Sequence, residues 1–130
     1  MTVTSTPSRV LVVEDDEDVR DLLKTLLGVL GHEVREATNG EEALTILREG
    51  WRPDLIVLDL MMPVMNGWAF RSEQRRIEGA GDIPVIVLSA RRNDGDIEAA
   101  EVLPKPFDLD VFLGAVSKHG LGPARTNAAT

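Results

Sequence analysis

Five short runs of β-branched residues and leucine punctuate the chain: Val10–Val13, Glu33–Ala37, Leu55–Leu58, Val85–Leu88 and, more weakly, Glu101–Leu103. The runs at Val10, Leu55 and Val85 are apolar throughout, the pattern of central strands in a parallel sheet covered on both faces. Stretches of helical period separate the runs. In the first, Val19, Leu22, Leu23, Leu26, Leu27 and Leu30 follow the i, i+3, i+4, i+7 rule of one buried face, and Gly31 supplies a stop. A second helix spans Glu41 to Arg48. A third begins near Gly67 and runs to Ile77. Its pattern is poor, because Arg71 to Arg76 is polar and only Phe70 and Ile77 face inward. The last starts at the N-cap Asp108, buries Leu109, Phe112, Leu113 and Val116, and stops at Gly120. Alternating strands and helices predict one α/β domain with right-handed crossovers over residues 9–120. Residues 1–8 and 121–130 are polar or small and are expected to be disordered.

The polar residues that interrupt this pattern sit at particular places. Glu14 and Asp15 directly follow the first run, Asp59 the third and Ser89 the fourth, and Lys105 comes two residues after the fifth. In open α/β sheets, ligands bind at the carboxyl ends of the strands, so groups far apart in sequence point at one crevice. Three carboxylates together repel one another and need a cation. Oxygen-only ligation without His or Cys suits Mg²⁺. A carboxylate can also attack phosphorus to give an aspartyl phosphate. The transferred group then needs charge neutralisation, which a cation and the Lys105 ammonium can supply, with a hydrogen bond from Ser89.

Composition narrows the picture. A length of 130 residues fits one compact domain. A formal net charge of −8 repels phosphate backbones and anionic lipid, which argues against nucleic acid or a membrane as partner. With no cysteine, disulfides and thiolate metal sites are impossible. No apolar run approaches the length of a membrane span, and Met1 to Ser8 lacks a signal-peptide pattern, so a cytoplasmic protein is expected.

Five pieces occur in order: Val12-Val13-Glu14-Asp15-Asp16, Leu58-Asp59-Leu60-Met61-Met62-Pro63, Asn66-Gly67, Leu88-Ser89-Ala90 and Lys105-Pro106-Phe107. Through them the chain, from about Arg9 to about His119, resembles the bacterial-type response-regulator receiver family of two-component signalling. The resemblance implies a flavodoxin-like, doubly wound sheet of five parallel strands in the order 2-1-3-4-5. It implies that Asp59 is the phosphoacceptor, Ser89 the switch hydroxyl and Lys105 the phosphate-pairing amine. Asp15 and Asp59 would bind Mg²⁺ with the backbone carbonyl of Met61, and Glu14 would bind it through water. Pro63 and Gly67 would shape the loop after Asp59, Gly67 by adopting a backbone conformation closed to other residues. The family's members are phosphoacceptors that assist their own phosphorylation and dephosphorylation rather than conventional enzymes. The implied partners are a sensor histidine kinase or a histidine phosphotransfer protein, and a downstream protein target. No output domain or basic region is visible, so a stand-alone phosphorelay carrier or binding module is expected.

The chain also departs from the family. Only fifteen residues separate Ser89 from Lys105, so the fourth helix is expected to be short or irregular, at most one turn within Arg91 to Ala100. The aromatic residue common three positions before the lysine is Val102 here. These departures keep open a degenerate receiver that acts as a constitutive interaction module, although the complete set of five functional residues argues against it. An Asp-nucleophile phosphohydrolase needs a second acid two residues after the nucleophile, and that position is Met61, which disfavours it. Other polar residues have plainer expected roles. Asp16, Glu17 and Asp18 read as helix caps or surface charge, His32 and His119 as structural, and Trp51 and Trp68 as packing or partner-contact residues.

Overall fold

The computed structural model describes residues 8–89, 97 and 99–119. The expectations for residues 1–7 and 120–130, and for most of the Arg91–Ala100 crossover, fall outside the described residues. Of that crossover, Ile97, Ala99 and Ala100 are described and none is helical.

The described elements run β1 (Arg9–Val13), α1 (Glu17–Val29), β2 (Glu33–Ala37), α2 (Gly40–Arg48), β3 (Leu55–Asp59), α3 (Gly67–Gln74), β4 (Val85–Ser89), β5 (Glu101–Pro104) and α4 (Leu109–Lys118). The five strands form one sheet in the order β2-β1-β3-β4-β5, every pair parallel, as the resemblance implied. The three runs that are apolar throughout occupy the three interior positions. Period-two alternation splits their side chains between two cores. Leu11, Val13, Ile56, Leu58, Val85 and Val87 pack with α2 and α3 on one face. Val10, Val12, Leu55, Val57, Ile86 and Leu88 pack with α1 and α4 on the other. Each fully buried aliphatic side chain contributes about 1.5–3 kcal/mol, so the interior strands dominate the core.

Side-chain oxygens cap each helix start. Asp16 accepts from the Asp18 and Val19 amides, Asn39 from Glu42, Asn66 from Ala69, and Asp108 from Asp110 and Val111. Gly31 ends α1 with φ of 94°, the left-handed conformation that its lack of a Cβ permits.

The structure corrects three details. Only Leu23 and Leu27 of the α1 stripe are buried; Leu22 and Leu30 are 44% and 55% exposed. Leu22 and Leu109 instead line an open apolar groove of about 490 Å³ between α1 and α4, shared with Val19, Pro106 and Phe107. The third helix ends at Gln74 rather than Ile77. Its last turn is polar but not all of it faces solvent: Gln74 is fully buried and its amide donates to the Ala80 and Ile83 carbonyls, folding the chain back toward β4. Gly67 does not adopt a left-handed backbone. That conformation falls to Val64, with φ of 69°.

Candidate functional site

The strand ends bring the predicted residues to one edge. Glu14 and Asp15 leave β1, Asp59 ends β3, Ser89 ends β4, and Lys105 follows β5 directly. The carboxylates of Glu14, Asp15 and Asp59 lie within 4.8 Å of one another. Glu14 and Asp59 are buried, whereas Asp15 is exposed at the mouth. Lys105 Nζ stands 3.0 Å from Glu14 Oε1 and 3.6 Å from Asp59 Oδ2. Glu14 Oε1 is buried with no aligned hydrogen-bond donor, so its contact with Lys105 is ionic. The Lys105 amide donates to the Ser89 carbonyl at 2.7 Å, which ties the lysine's main chain to the end of β4. Ser89 itself is 1% exposed.

Electrostatics follow from this crowding. Burial first, and the Asp59 charge second, push the Glu14 carboxyl up from 4.5 to about 7, against the pull of Lys105. Burial also raises Asp59, opposed by a hydrogen bond from Glu14, the Lys105 charge and the Met61 amide. That amide donates to Asp59 Oδ1 at 3.2 Å. Burial alone would lower Lys105, but Glu14 and Asp59 outweigh it and hold the ammonium above its ordinary value. Negative charge thus exceeds what the lysine balances. An all-oxygen donor set carrying that excess fits a hard divalent cation such as Mg²⁺.

The loop after Asp59 is set by space. A Cβ on Gly67 would meet Leu60 Cδ2 at 2.6 Å and Leu60 Cα at 2.8 Å, and the Gly67 amide donates to the Leu60 carbonyl at 2.9 Å. Gly40, at the start of α2, makes a similar approach to Met65. Met61 is 46% exposed at the mouth, beside Trp68 and Asp15.

Asp16 caps α1. Trp51 and Trp68 pack against the core, and His119 bonds Glu101 at 2.8 Å. Sequence reasoning missed Arg20, whose guanidinium reaches the acidic turn. Its only signal is a basic residue amid the acidic start of α1.

A doubly wound parallel sheet in this order is a flavodoxin-like fold, here with acids and a lysine gathered at its carboxyl edge. The model of the response regulator receiver domain matches residues 10–117. The chain belongs to that family, and so to two-component signalling. It is 40% identical over 126 residues to the transcriptional regulatory protein CpxR homolog of Haemophilus influenzae, covering 90% of this chain and 53% of that protein. Among solved structures, it superposes on TrrA of Thermotoga maritima in complex with Mg²⁺-BeF with a TM-score of 0.75 and 36% identity, covering 85% and 97% of the two chains. It superposes on the receiver domain of the Pseudomonas aeruginosa sensor histidine kinase PA1611, which has a magnesium ion coordinated in its active site cleft, with a TM-score of 0.79 and 26% identity, covering 88% and 98%.

The chain spans about half the length of the curated relatives it matches. Those relatives are named transcriptional regulators, which overturns the exclusion of nucleic acid as a partner. The net charge of −8 describes this segment alone. Among the described residues, no helix is long and apolar enough to cross a membrane.

Proposed function

We propose that the chain is a Mg²⁺-dependent phosphoacceptor whose acceptor is Asp59 and whose phosphorylation alters its surface. The observation that carries this reading is the meeting of Glu14, Asp15 and Asp59 within 4.8 Å, with Lys105 3.0 Å and 3.6 Å from two of them. Glu14, Asp15, Asp59 and the Met61 backbone carbonyl would hold Mg²⁺, which supplies charge neutralisation to the phosphoryl oxygens.

A carboxylate oxygen of Asp59 attacks the phosphorus of a protein phosphohistidine or a small acyl-phosphate donor. The new O–P bond forms as the donor's P–N or P–O bond breaks, and the donor leaves with the bonding pair and takes up a proton. Lys105 pairs with a phosphoryl oxygen, exchanging its contact with Asp59 for one with the incoming group. The Ser89 hydroxyl donates to another, and this charge-assisted bond draws the end of β4 toward the site.

Intact mass spectrometry after incubation with acetyl phosphate and Mg²⁺ tests the reading. The wild type should gain one acid-labile phosphoryl group, and Asp59→Asn should gain none while unfolding at a similar temperature. Equal uptake by Asp59→Asn would remove Asp59 as acceptor. No uptake by the wild type would favour a constitutive interaction module.

A further inference from the structure

The Glu14–Asp16 turn poses a problem of backbone bonding. β1 ends at Val13 and α1 begins at Glu17, with the Asp16 carbonyl accepting the first helical bond, from the Arg20 amide at 2.9 Å. The carbonyls of Glu14 and Asp15 therefore belong to neither the sheet ladder nor the helix, and each needs another donor. The side chain of Arg20 supplies one. Its Nη1 donates to the Glu14 carbonyl at 2.8 Å and makes a longer approach, 3.5 Å, to that of Asp15.

The same guanidinium is braced from behind. Its Nε pairs with Glu36 Oε1 at 3.1 Å, and the other Glu36 oxygen takes Lys24 Nζ at 2.8 Å. Glu36 lies on β2 beside Ala37, whose carbonyl accepts the Glu14 amide at 3.0 Å. Both peptide groups flanking the Glu14 Cα are thus fastened to β2, one directly and one through Arg20. Only 14% of the Arg20 side chain is exposed, so the fork is held in place rather than drifting in solvent. A planar guanidinium can serve a carboxylate and a carbonyl at once, which a lysine point charge does less well.

We propose that Arg20 is a positioning residue for the cation-binding carboxylates. By fixing the main chain of Glu14 and Asp15, it sets where their side chains meet Asp59. The proposal rests on the Mg²⁺-dependent reading of the site. Groups that orient metal ligands without touching the metal typically change affinity by about 10–100-fold. Arg20 acts through the main chain, so the lower end applies.

The test is calorimetric titration of Mg²⁺ into the full chain, paired with thermal melts in chelator. Arg20→Ala should raise the Mg²⁺ midpoint about tenfold, Arg20→Lys should raise it less, and Lys24→Ala, which loosens Glu36 but leaves the carbonyl bond, should not move it. In the metal-free protein, hydrogen exchange across Glu14 to Asp18 should quicken in Arg20→Ala and not in Lys24→Ala. A wild type that takes up Mg²⁺ normally while both Arg20 variants keep its midpoint would overturn the positioning role alone. So would a Lys24→Ala shift as large as that of Arg20→Ala. A wild type indifferent to Mg²⁺ would overturn the underlying reading, and this inference with it. If Arg20→Ala does not fold, Arg20→Lys carries the comparison.

Discussion

Two segments present the carboxylates of the site, and they are fastened by different means. The Glu14–Asp16 turn is short and held by directed polar bonds: to the Ala37 carbonyl, to the Arg20 guanidinium, and through the Asp16 cap of α1. The loop that follows Asp59 is longer and adds close approach to its backbone bonds, among them the Gly67 amide to the Leu60 carbonyl and the Met61 amide to Asp59 Oδ1. Gly67 presses on Leu60, Gly40 presses on Met65, and Val64 sits in a left-handed conformation between them. Polar fastening responds to charge, cation and pH. Steric fastening ignores all three and fails only when atoms are added. The acidic turn is therefore the more adjustable wall of the site and the Asp59 loop, with its added steric contacts, the stiffer one.

The sharpest way to break this contrast is Gly67→Ala. The added methyl meets the Leu60 main chain at 2.8 Å, which cannot swing aside as a side-chain tip can. A loss of about 3 kcal/mol is expected in urea unfolding. Gly28→Ala, inside α1 with nothing within 4 Å of the new carbon, should instead gain about 0.5–1 kcal/mol. Similar outcomes for the two would show that the contact is soft.

The polar wall should answer to pH. Glu14 titrates near 4.5 when unfolded and about 7 when folded, so the folded state holds its proton more tightly. The stability this contributes is full below pH 4.5 and is lost as pH rises through 7. In metal-free protein the loss is up to about 3 kcal/mol. The raised Asp59 acts in the same direction. Denaturation in chelator at about pH 5 and about pH 8 measures it, and added Mg²⁺ should flatten the difference. Stability that rises over this interval would contradict the electrostatic description.

Two smaller effects refine the comparison. Asp16→Ala removes the cap that anchors the turn to α1 and should cost about 1 kcal/mol, with faster exchange at the Asp18 and Val19 amides. Val64→Asn should gain about 0.5–1 kcal/mol in a thermal melt, because asparagine tolerates positive φ and Val64 is 79% exposed with little packing to lose. A melt lowered by Val64→Asn would mean that the valine side chain holds the loop.

The edge where the polar residues gather was legible in the sequence, because apolar runs of strand length end in a polar group, whereas the strand order followed from the family resemblance rather than from the pattern. Glu14, Asp15, Asp59, Ser89 and Lys105 could be placed from that punctuation alone. What holds them was not legible. Gly67 is needed for space rather than for a torsion, a distinction that depends on how near Leu60 passes. Gln74 looked solvated because periodicity cannot anticipate a chain that folds back to meet its amide. Leu22 and Leu109 looked buried because the pattern reports which face of a helix is apolar, not how much of that face the described neighbours reach. Arg20 is silent for a related reason: apart from Glu36, its partners are main-chain carbonyls, which leave no mark on residue identity.

The two tryptophans occupy opposite ends of the strands, and this gives the domain an internal optical reference. Trp68 lies at the mouth with Asp15 and Met61. Trp51 precedes β3 at the amino edge, with the guanidinium carbons of Arg9 and Arg35 5.8 Å and 5.3 Å from its ring. Trp51, held between those cations and the core far from the mouth, should emit at constant intensity when the mouth changes, whereas Trp68 should sense the field and solvent there. Trp51→Phe would leave Trp68 as the single emitter in a protein without tyrosine. Fluorescence would then follow events at the carboxyl edge in real time, with no label attached.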